Sequence, residues 1–275
     1  MQPADLDAYF ARIGYAGART PTLPVLDAIL GAHVQAIPFE NLDILLGRGV
    51  SLARPDIVRK LVHDRRGGYC FEHNGLLLAV LHALGFHVTP LLARVRWQVP
   101  AGTPTPQTHM ILRVELDGRP WLADGGFGGI GLTGPIALDT EAEQGVAPER
   151  RRLVPQGRHL LQQVRFGDAW SDVYRFTPDE APAIDFEVGN WFTSTHPQSR
   201  FRQNLIVSRA AGDLRLSILN RELTIRRRDG GAEKRLLASP AELLDALARQ
   251  FGLPFPDGTA FACPALDWPE SAAAK

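Results

Sequence analysis

The chain has 275 residues, enough for about two domains and for a large core without disulfide or metal cross-links. Thirty basic and thirty acidic residues leave no net charge, which argues against a nucleic-acid-binding protein and a polyacidic disordered tail. Two cysteines cannot build the disulfide framework of a small secreted protein, so we expect a cytoplasmic protein. Without a signal sequence or an apolar run of roughly 18 residues, no membrane partner is expected.

Apolar residues recur at helical spacing through the first third of the chain. Pro55 suits the first turn of one helix, and Gly85 suits the position just past the end of another. Between them, Gly67-Gly68 marks a turn. We therefore predict helices over residues 5–13, 23–35, 55–63 and 71–84.

The rest of the chain changes largely to the two-residue period of β-strands. Strands are predicted over residues 86–97, 108–116, 120–124, 160–166, 170–176, 204–208, 213–219, 222–227 and 234–238. Residues 125–131 form a glycine-rich loop, and the charged residues 139–152 are predicted to be a solvent-exposed connection. Helices are predicted at 185–195 and 239–251, the second with Glu242 placed for a capping box. Helices first, strands next and a mixed end indicate an α+β fold.

Asp117-Gly118 between two predicted strands is a strong signal for a two-residue hairpin turn. That turn places Asp124 opposite Ile111 and diagonal to His109. Diagonal neighbours share one face of a sheet at about 7–8 Å, within reach of a histidine–carboxylate hydrogen bond. A surface histidine with an unrelated aspartate nearby would fit the same register. The opposite face is predicted to pack on the core through Met110, Leu112, Val114, Leu116, Trp121 and Ala123.

Cys70 follows the glycine turn and begins a predicted helix. The unpaired N–H groups of a helix N-terminus stabilise the nucleophilic thiolate. A buried cysteine that packs as a small apolar residue is the alternative interpretation. A nucleophilic cysteine would need a base such as His109 and a carboxylate such as Asp124 to orient that base. Residue spacing alone does not bring Cys70 to His109.

Four short blocks of the chain stand out together: Pro38-Phe39-Glu40-Asn41-Leu42-Asp43, Arg66-Gly67-Gly68-Tyr69-Cys70-Phe71-Glu72-His73-Asn74, Thr108-His109 and Trp121-Leu122-Ala123-Asp124-Gly125-Gly126-Phe127-Gly128. In order and separation they resemble the motifs of the arylamine N-acetyltransferase family. The resemblance covers the first half of the chain closely, and the second half more loosely, as at 196–201.

The resemblance implies a cysteine-protease-like Cys-His-Asp core divided among three domains. Residues 1–85 would form a helical domain with the nucleophile, 86–190 a β-barrel-like domain with the histidine and aspartate, and 191–275 an α/β domain. Cys70 would be the nucleophile, His109 the general base and acid, and Asp124 the orienting carboxylate. A family ion pair matches Glu40 and Arg66, whose expected role is to hold the cysteine loop.

The resemblance also implies the reaction and its substrates. An acetyl group would pass from acetyl-CoA through a thioester on the cysteine to an aromatic amine, hydrazine or N-arylhydroxylamine by ping-pong kinetics, as in xenobiotic metabolism. The loop Gly125, Gly126, Phe127, Gly128 and Gly129 would contact CoA, although a tight turn that places Asp124 is an equally open interpretation. The acceptor pocket would be lined by Phe39, Val95, Phe127 and Phe201.

Residue patterns alone leave several points open. Only Phe127, between glycines, is expected to project into a cleft, whereas Phe39, Val95 and Phe201 also suit a core. Trp97 is a further candidate to cover the site. The run 226–228 of three arginines suits a solvated patch or a contact to a CoA phosphate.

Other functions share the Cys, His, Asp order. An amide synthase of polyketide biosynthesis would differ in its acyl donor, and a cysteine hydrolase or transglutaminase-like enzyme in its acceptor. A non-enzymatic binding module is the third class. No metal is expected, because His73, His82 and His87 lack the paired spacing of metal ligands.

Overall fold

The computed structural model describes residues 1–146, 148–227 and 230–268. Its first third is helical, as predicted, and Pro3, Pro24 and Pro55 occupy first-turn positions, where their fixed φ suits a helix. A π-helical turn, Arg59–His63, continues the fourth helix. The helices are α1 Pro3–Ile13, α2 Leu23–Ala36, α3 Leu42–Leu45, α4 Arg54–Val58 and α5 Cys70–Ala83. None of the helices in the described ranges is long and apolar enough to cross a membrane.

A two-residue strand that the sequence did not predict, β1 Phe39–Glu40, interrupts the helices. Eight further strands form an antiparallel sheet that curls into a nearly closed barrel, in the order β5-β4-β3-β2-β9-β8-β7-β6. The Gln144 side chain joins the two edges of this sheet, because it hydrogen-bonds both the N–H (2.6 Å) and the C=O (3.0 Å) of Ala137. The strands are β2 His87–Val95, β3 Gln107–Leu116, β4 Arg119–Ala123, β5 Ile136–Ala137, β6 Gln144–Val146, β7 Glu149–Gln156, β8 His159–Phe166 and β9 Ala169–Phe176.

The prediction that residues 139–152 form a solvent-exposed connection was correct for its first part and wrong for its second. Asp139, Glu141 and Glu143 are exposed between β5 and β6, but β6 and the start of β7 occupy the rest of the segment. Two of the charged residues there, Glu149 and Arg151, point inward. The Glu149 carboxylate accepts hydrogen bonds from Arg151 (3.1 Å) and Arg215 (2.8 Å). Arg151 is only 1% exposed. Glu149 and Arg151 therefore belong to the barrel wall.

The last part of the described chain forms a second antiparallel sheet, in the order β1-β10-β11-β12-β13. Leu247 and Phe251 of the final helix pack on Val207 and Ile218 of this sheet. Ser239 accepts a hydrogen bond from the N–H of Glu242, which forms half of the predicted capping box. The elements are α6 Ala183–Thr195, α7 Arg200–Gln203, β10 Ile206–Ala211, β11 Leu214–Leu219, β12 Glu222–Arg227, β13 Ala232–Leu236 and α8 Pro240–Phe251.

The hairpin register was predicted correctly. Leu116 pairs with Arg119, and both Asp117 (φ 51°) and Gly118 (φ 75°) have the positive φ of a type I′ turn. The predicted core face of β3 and β4 packs against the helices. The part of the other face that carries His109, Ile111 and Leu122 is buried as well, because it forms the barrel interior. His109 therefore lies inside the molecule rather than on a surface.

The predicted domain division remains a prediction. The boundary that we expected at residue 190 falls within α6. β1 comes from the helical third of the chain, yet it pairs with β10 through Phe39–Ser208 and Glu40–Val207. Phe39 also bridges Gly68 in the loop before α5. The loop that carries Cys70 is thus joined to the second sheet.

Candidate active site

Cys70 is the first residue of α5 and is 3% exposed. The loop before it approaches β1 so closely that a Cβ atom on Gly67 would lie 2.2 Å from the carbonyl oxygen of Pro38. The Glu72 carboxylate accepts a hydrogen bond from the N–H of Tyr69 at 3.0 Å, which caps the helix start. Cys70 is thereby held at a helix N-terminus, an environment that favours a thiolate.

The structure brings Cys70, His109 and Asp124 together. His109 Nε2 hydrogen-bonds Asp124 Oδ2 at 2.8 Å, and both side chains are nearly inaccessible to solvent. The Cys70 side chain lies close enough to His109 to help raise the pKa of the imidazole, and Cys70 Sγ donates to the carbonyl of Thr108 at 3.5 Å. Because Nε2 faces the carboxylate, Nδ1 is the nitrogen left for the thiol. The aromatic rings of Phe127 and Tyr174 contact the imidazole, each with its centroid 5.1 Å away.

Asn74 joins the cysteine helix α5 to Asp124 and to β3, a role that the sequence did not predict. It lies one turn after Cys70 on α5 and donates hydrogen bonds from Nδ2 to Asp124 Oδ1 (2.9 Å) and to the carbonyl of Met110 (2.7 Å). Its Oδ1 accepts a hydrogen bond from the N–H of Gly125 at 2.9 Å. The spacing of four residues from Cys70 was the available signal, since it places both side chains on one helix face.

Electrostatics favour an ion pair between His109 and Asp124. Burial opposes a charged imidazole, but the Asp124 carboxylate and Cys70 outweigh it and raise the pKa of His109 to about 10. Burial likewise opposes the carboxylate charge, yet His109, Asn74 and the N–H of Gly126 hold the pKa of Asp124 below its usual range. The pair is therefore charged at neutral pH.

Some of the predicted substrate contacts line a common cavity, and the others do not. Phe39 and Phe127 line a narrow cavity beside Asp124, together with Gly125, Gly128 and Gly129, although neither Cys70 nor His109 lines it.

Phe201 packs behind Phe39, with ring centroids 5.9 Å apart. Val95 pairs with Tyr174 across β2 and β9. The N–H of Gly126 donates to Asp124 and that of Gly129 to Ser208, so both are already engaged within the protein. These bonds favour the tight-turn interpretation of the glycine loop.

Comparison with known proteins assigns this arrangement to a family. A family model described as N-acetyltransferase matches residues 22–259. The arylamine N-acetyltransferase of Mycolicibacterium smegmatis is 44% identical over 260 residues, which cover 92% of this chain and 93% of that protein. The chain belongs to the arylamine N-acetyltransferase family. It is accordingly an acyltransferase, as the resemblance implied.

Two further comparisons agree with this assignment. The arylamine N-acetyltransferase / N-hydroxyarylamine O-acetyltransferase of Salmonella typhimurium is 37% identical, with 90% of this chain and 88% of that protein covered. The structure of Mycobacterium marinum arylamine N-acetyltransferase in complex with CoA superimposes with a TM-score of 0.87 at 45% identity. That match covers 90% of this chain and 92% of the other. The α+β fold that we expected for this family member is confirmed.

A buried cluster of charges lies beneath the cysteine loop of this arylamine N-acetyltransferase family member. The expected ion pair forms, with Arg66 2.7 Å from Glu40, and Arg66 also reaches Asp43 at 3.1 Å. Lys60 extends the cluster to Asp43 (2.8 Å) and to Glu72 (2.7 Å). Burial raises the pKa of Glu72 to about 7 although Lys60 opposes the shift. The cluster joins β1, α3 and the π-helical turn to α5.

His73 belongs to a chain of buried hydrogen bonds. The carbonyl of Pro38 can only accept, so His73 donates to it from Nε2 at 3.1 Å. His73 Nδ1 then accepts from His33 Nε2 (2.8 Å), and His33 Nδ1 accepts from the hydroxyl of Tyr9 (3.0 Å). Both imidazoles are neutral, because burial lowers the pKa of His33 and lowers that of His73 to about 4. The chain holds β1 against α5.

Replacing Gly126 by alanine should separate the glycine loop from α5. The added Cβ would lie 2.7 Å from Cys70 Cα and 3.0 Å from the Cys70 carbonyl oxygen, and backbone atoms cannot move independently. We expect Gly126→Ala to lower the free energy of unfolding by about 1–3 kcal/mol, measured by urea titration. Gly129→Ala is the matched control, since no atom lies within 4 Å of its Cβ. Equal losses in the two variants would contradict this account of the loop.

The neutral state of His73 predicts a pH dependence of stability. Its folded pKa of about 4 lies below the ordinary value of 6.5, so the unfolded chain binds the proton more readily between these values. The contribution of His73 is therefore complete above about pH 6.5 and is lost as the pH falls towards 4. In His73→Gln, the slope of unfolding free energy against pH in this window should become shallower by up to about 1.4 kcal/mol per pH unit.

His82→Gln is the control for that measurement, because His82 lies on the same helix but is exposed. Asp124, Lys60 and His33 also act on His73, and both variants retain them. A slope that is unchanged in His73→Gln would show that His73 does not titrate in this window.

Proposed function

We propose that this protein transfers an acetyl group from acetyl-CoA to arylamines, arylhydrazines and N-arylhydroxylamines through an acetyl-cysteine at Cys70. The observation that carries the proposal is the buried 2.8 Å hydrogen bond between His109 and Asp124, next to a cysteine at the first position of α5. The names of the relatives and the CoA bound to the Mycobacterium marinum protein support the choice of substrates.

The first half of the reaction acylates Cys70. The His109 imidazolium stabilises the Cys70 thiolate, whose sulfur attacks the thioester carbonyl of acetyl-CoA. The bond between the acetyl carbon and the Cys70 sulfur forms as the bond to the CoA sulfur breaks. The departing CoA thiolate takes the proton of His109, which leaves a neutral imidazole.

The second half releases the product. The amine nitrogen attacks the acetyl-cysteine carbonyl, and neutral His109 removes a proton from that nitrogen. The carbon–sulfur bond breaks, the amide departs, and the thiolate–imidazolium pair is restored. Because CoA leaves before the amine reacts, steady-state kinetics should be ping-pong.

Asp124 and Asn74 act through the imidazole and not on the substrates. Asp124 fixes the orientation of His109 and stabilises its charged form. Asn74 fixes Asp124 in turn, through the 2.9 Å hydrogen bond to Oδ1. Because these groups are buried, they also limit the access of water to the site. An acyl-cysteine must be protected from water if transfer is to exceed hydrolysis.

The remaining parts of the site would receive the two substrates. Phe127, with its ring edge-on to His109, provides an aromatic surface beside the imidazole for an aromatic acceptor. Phe39, Val95 and Phe201 complete the proposed acceptor pocket, and the loop 125–129 would pass along the pantetheine of CoA. A nucleophilic thiol must stay reduced, which favours the reducing cytoplasm.

The acetyl-cysteine is testable by intact mass spectrometry. Incubation with acetyl-CoA and no acceptor should add one acetyl group, which an arylamine should then remove. Cys70→Ala should not be labelled, because the attacking sulfur is absent. Cys263→Ala is the matched control and should label like the parent. Labelling that persists in Cys70→Ala would overturn the assignment of the nucleophile.

Asp124→Asn should reduce turnover by about four powers of ten, as loss of the orienting carboxylate does in a comparable triad. Because the raised pKa of His109 depends on the Asp124 charge, the imidazole limb of the pH–rate profile should also move to lower pH. Asp139→Asn, which breaks an exposed pair with Arg119, is the control. A folded Asp124→Asn protein within tenfold of the parent rate would leave a Cys70–His109 dyad as the mechanism.

A further inference from the structure

A cavity of about 330 Å³ opens between β7, β8 and the end of β12. Its volume is within the range of small-ligand sites. Its described lining includes one carboxylate, that of Glu149, and the aromatic ring of Phe166. Four arginines line the same cavity: Arg150, Arg165, Arg226 and Arg227.

The single lining carboxylate is already neutralised from behind. Glu149 Oε2 accepts hydrogen bonds from both Arg151 and Arg215, which are buried. Two guanidinium groups thus share one carboxylate beneath the cavity floor. Burial, and the neighbouring Arg215, lower the pKa of Arg151 to about 10, which still leaves it charged at neutral pH. The floor therefore adds positive charge to the cavity.

The lining arginines can exchange their present partners for a phosphate. Arg165 pairs with Glu143 at 3.0 Å and with Asp168 at 3.2 Å, and all three side chains are solvent-accessible. Solvent-exposed ion pairs of this kind contribute little to stability. Arg226 makes no ion pair with any residue in the described ranges, and its guanidinium lies 5.3 Å from the centre of the Phe166 ring. Its donors suit the oxygens of a phosphate.

The cavity lies at the same end of the barrel as the site of acetyl transfer. Arg150 of β7 and Arg165 of β8 are strand partners at this end of the barrel. β3 begins at the same end, just before His109, and β4 ends there, just before Asp124. Trp97, which follows β2, packs on Phe166 with ring centroids 5.8 Å apart.

A direct chain of contacts also connects the two places. The glycine loop after Asp124 runs to Gly131, whose carbonyl accepts a hydrogen bond from Arg215 at 3.0 Å. Arg215 pairs with Glu149, and Glu149 lines the cavity. Arg215 also lines the narrow cavity beside Asp124, so the Arg215–Glu149 pair joins the linings of the two cavities.

We propose that this cavity binds the phosphate groups of acetyl-CoA, with Arg226 as a principal contact. The inference rests on the proposed function, which puts the thioester of the donor at Cys70 and leaves its phosphorylated nucleotide end remote from the reacting atoms. Binding energy at such a remote site serves the donor alone. An acyl donor without phosphates has no group for Arg226 to bind.

The test compares donors with and without phosphates in Arg226→Ala. Loss of a charge-assisted hydrogen bond should raise KM for acetyl-CoA about tenfold, with kcat unchanged. KM for S-acetylpantetheine, which lacks all phosphates, should stay at the parent value. Acetyl 3′-dephospho-CoA, which keeps the diphosphate of CoA but lacks the 3′-phosphate, shows which of the two groups Arg226 binds. Its KM should respond to Arg226→Ala only if Arg226 binds the diphosphate.

Arg158→Ala is the matched control. Arg158 is an exposed arginine in the turn between β7 and β8, at the opposite end of the same strands, and it pairs with Asp179. Arg226→Gln keeps most of the side chain over Phe166, so it preserves the packing that Arg226→Ala removes. A thermal melt of each variant would reveal a folding defect. Arg226→Gln should reproduce the KM change of Arg226→Ala.

Direct binding provides a readout apart from catalysis. In a Cys70→Ala background, calorimetry should show a Kd for CoA that rises about tenfold with Arg226→Ala and also rises with salt concentration. A KM or Kd that changes no more than in Arg158→Ala, or that changes equally for S-acetylpantetheine, would overturn the phosphate site. Failure of both donors to acetylate Cys70 would instead overturn the proposed function, and CoA binding would still report on the cavity.

Discussion

The buried carboxylate of Asp124 is the group on which the rest of the site depends. An unpaired charge at 1% exposure would be strongly destabilising, so each of its hydrogen bonds is a structural requirement as well as a chemical one. Its partners come from three elements: His109 from β3, Asn74 from α5 and the N–H of Gly126 from the glycine loop. Satisfying one carboxylate therefore fixes the barrel, the cysteine helix and the loop relative to one another.

The cysteine loop is fixed from its other side by β1, a strand of two residues. Phe39 bridges Gly68, and the carbonyl of Pro38 accepts hydrogen bonds from Gly68 and His73. The ion cluster around Arg66 and Lys60 adds charge-assisted contacts beneath the loop. Backbone pairing and buried charge thus act together on a segment that has no regular structure of its own. The result is a cysteine whose position is determined from two sheets.

Local patterns in the sequence were sufficient for every helix of the described residues except the short α3 and α7, for most strands and for the His109–Asp124 register. The register followed because a type I′ turn allows one pairing, and Asp117-Gly118 is specific for that turn. Three features depended on distant partners and were not predictable locally. They were the short β1, the role of Asn74 and the inward-facing charges of Glu149 and Arg151. The local sequence predicts that Glu149 is solvent-exposed, because its partner Arg215 lies 66 residues later in the chain.

Burial alone does not decide which histidine can exchange a proton at neutral pH. His73 and His109 are both fully enclosed, and desolvation opposes the charged form of each. Only His109 has a carboxylate in direct contact, and its pKa rises while that of His73 falls. Asp124 does act weakly on His73, but Pro38 offers that ring only a neutral carbonyl. The same α+β core thus holds one imidazole as a rigid neutral spacer and another as a charged partner for Cys70, and the difference follows from the placement of one aspartate.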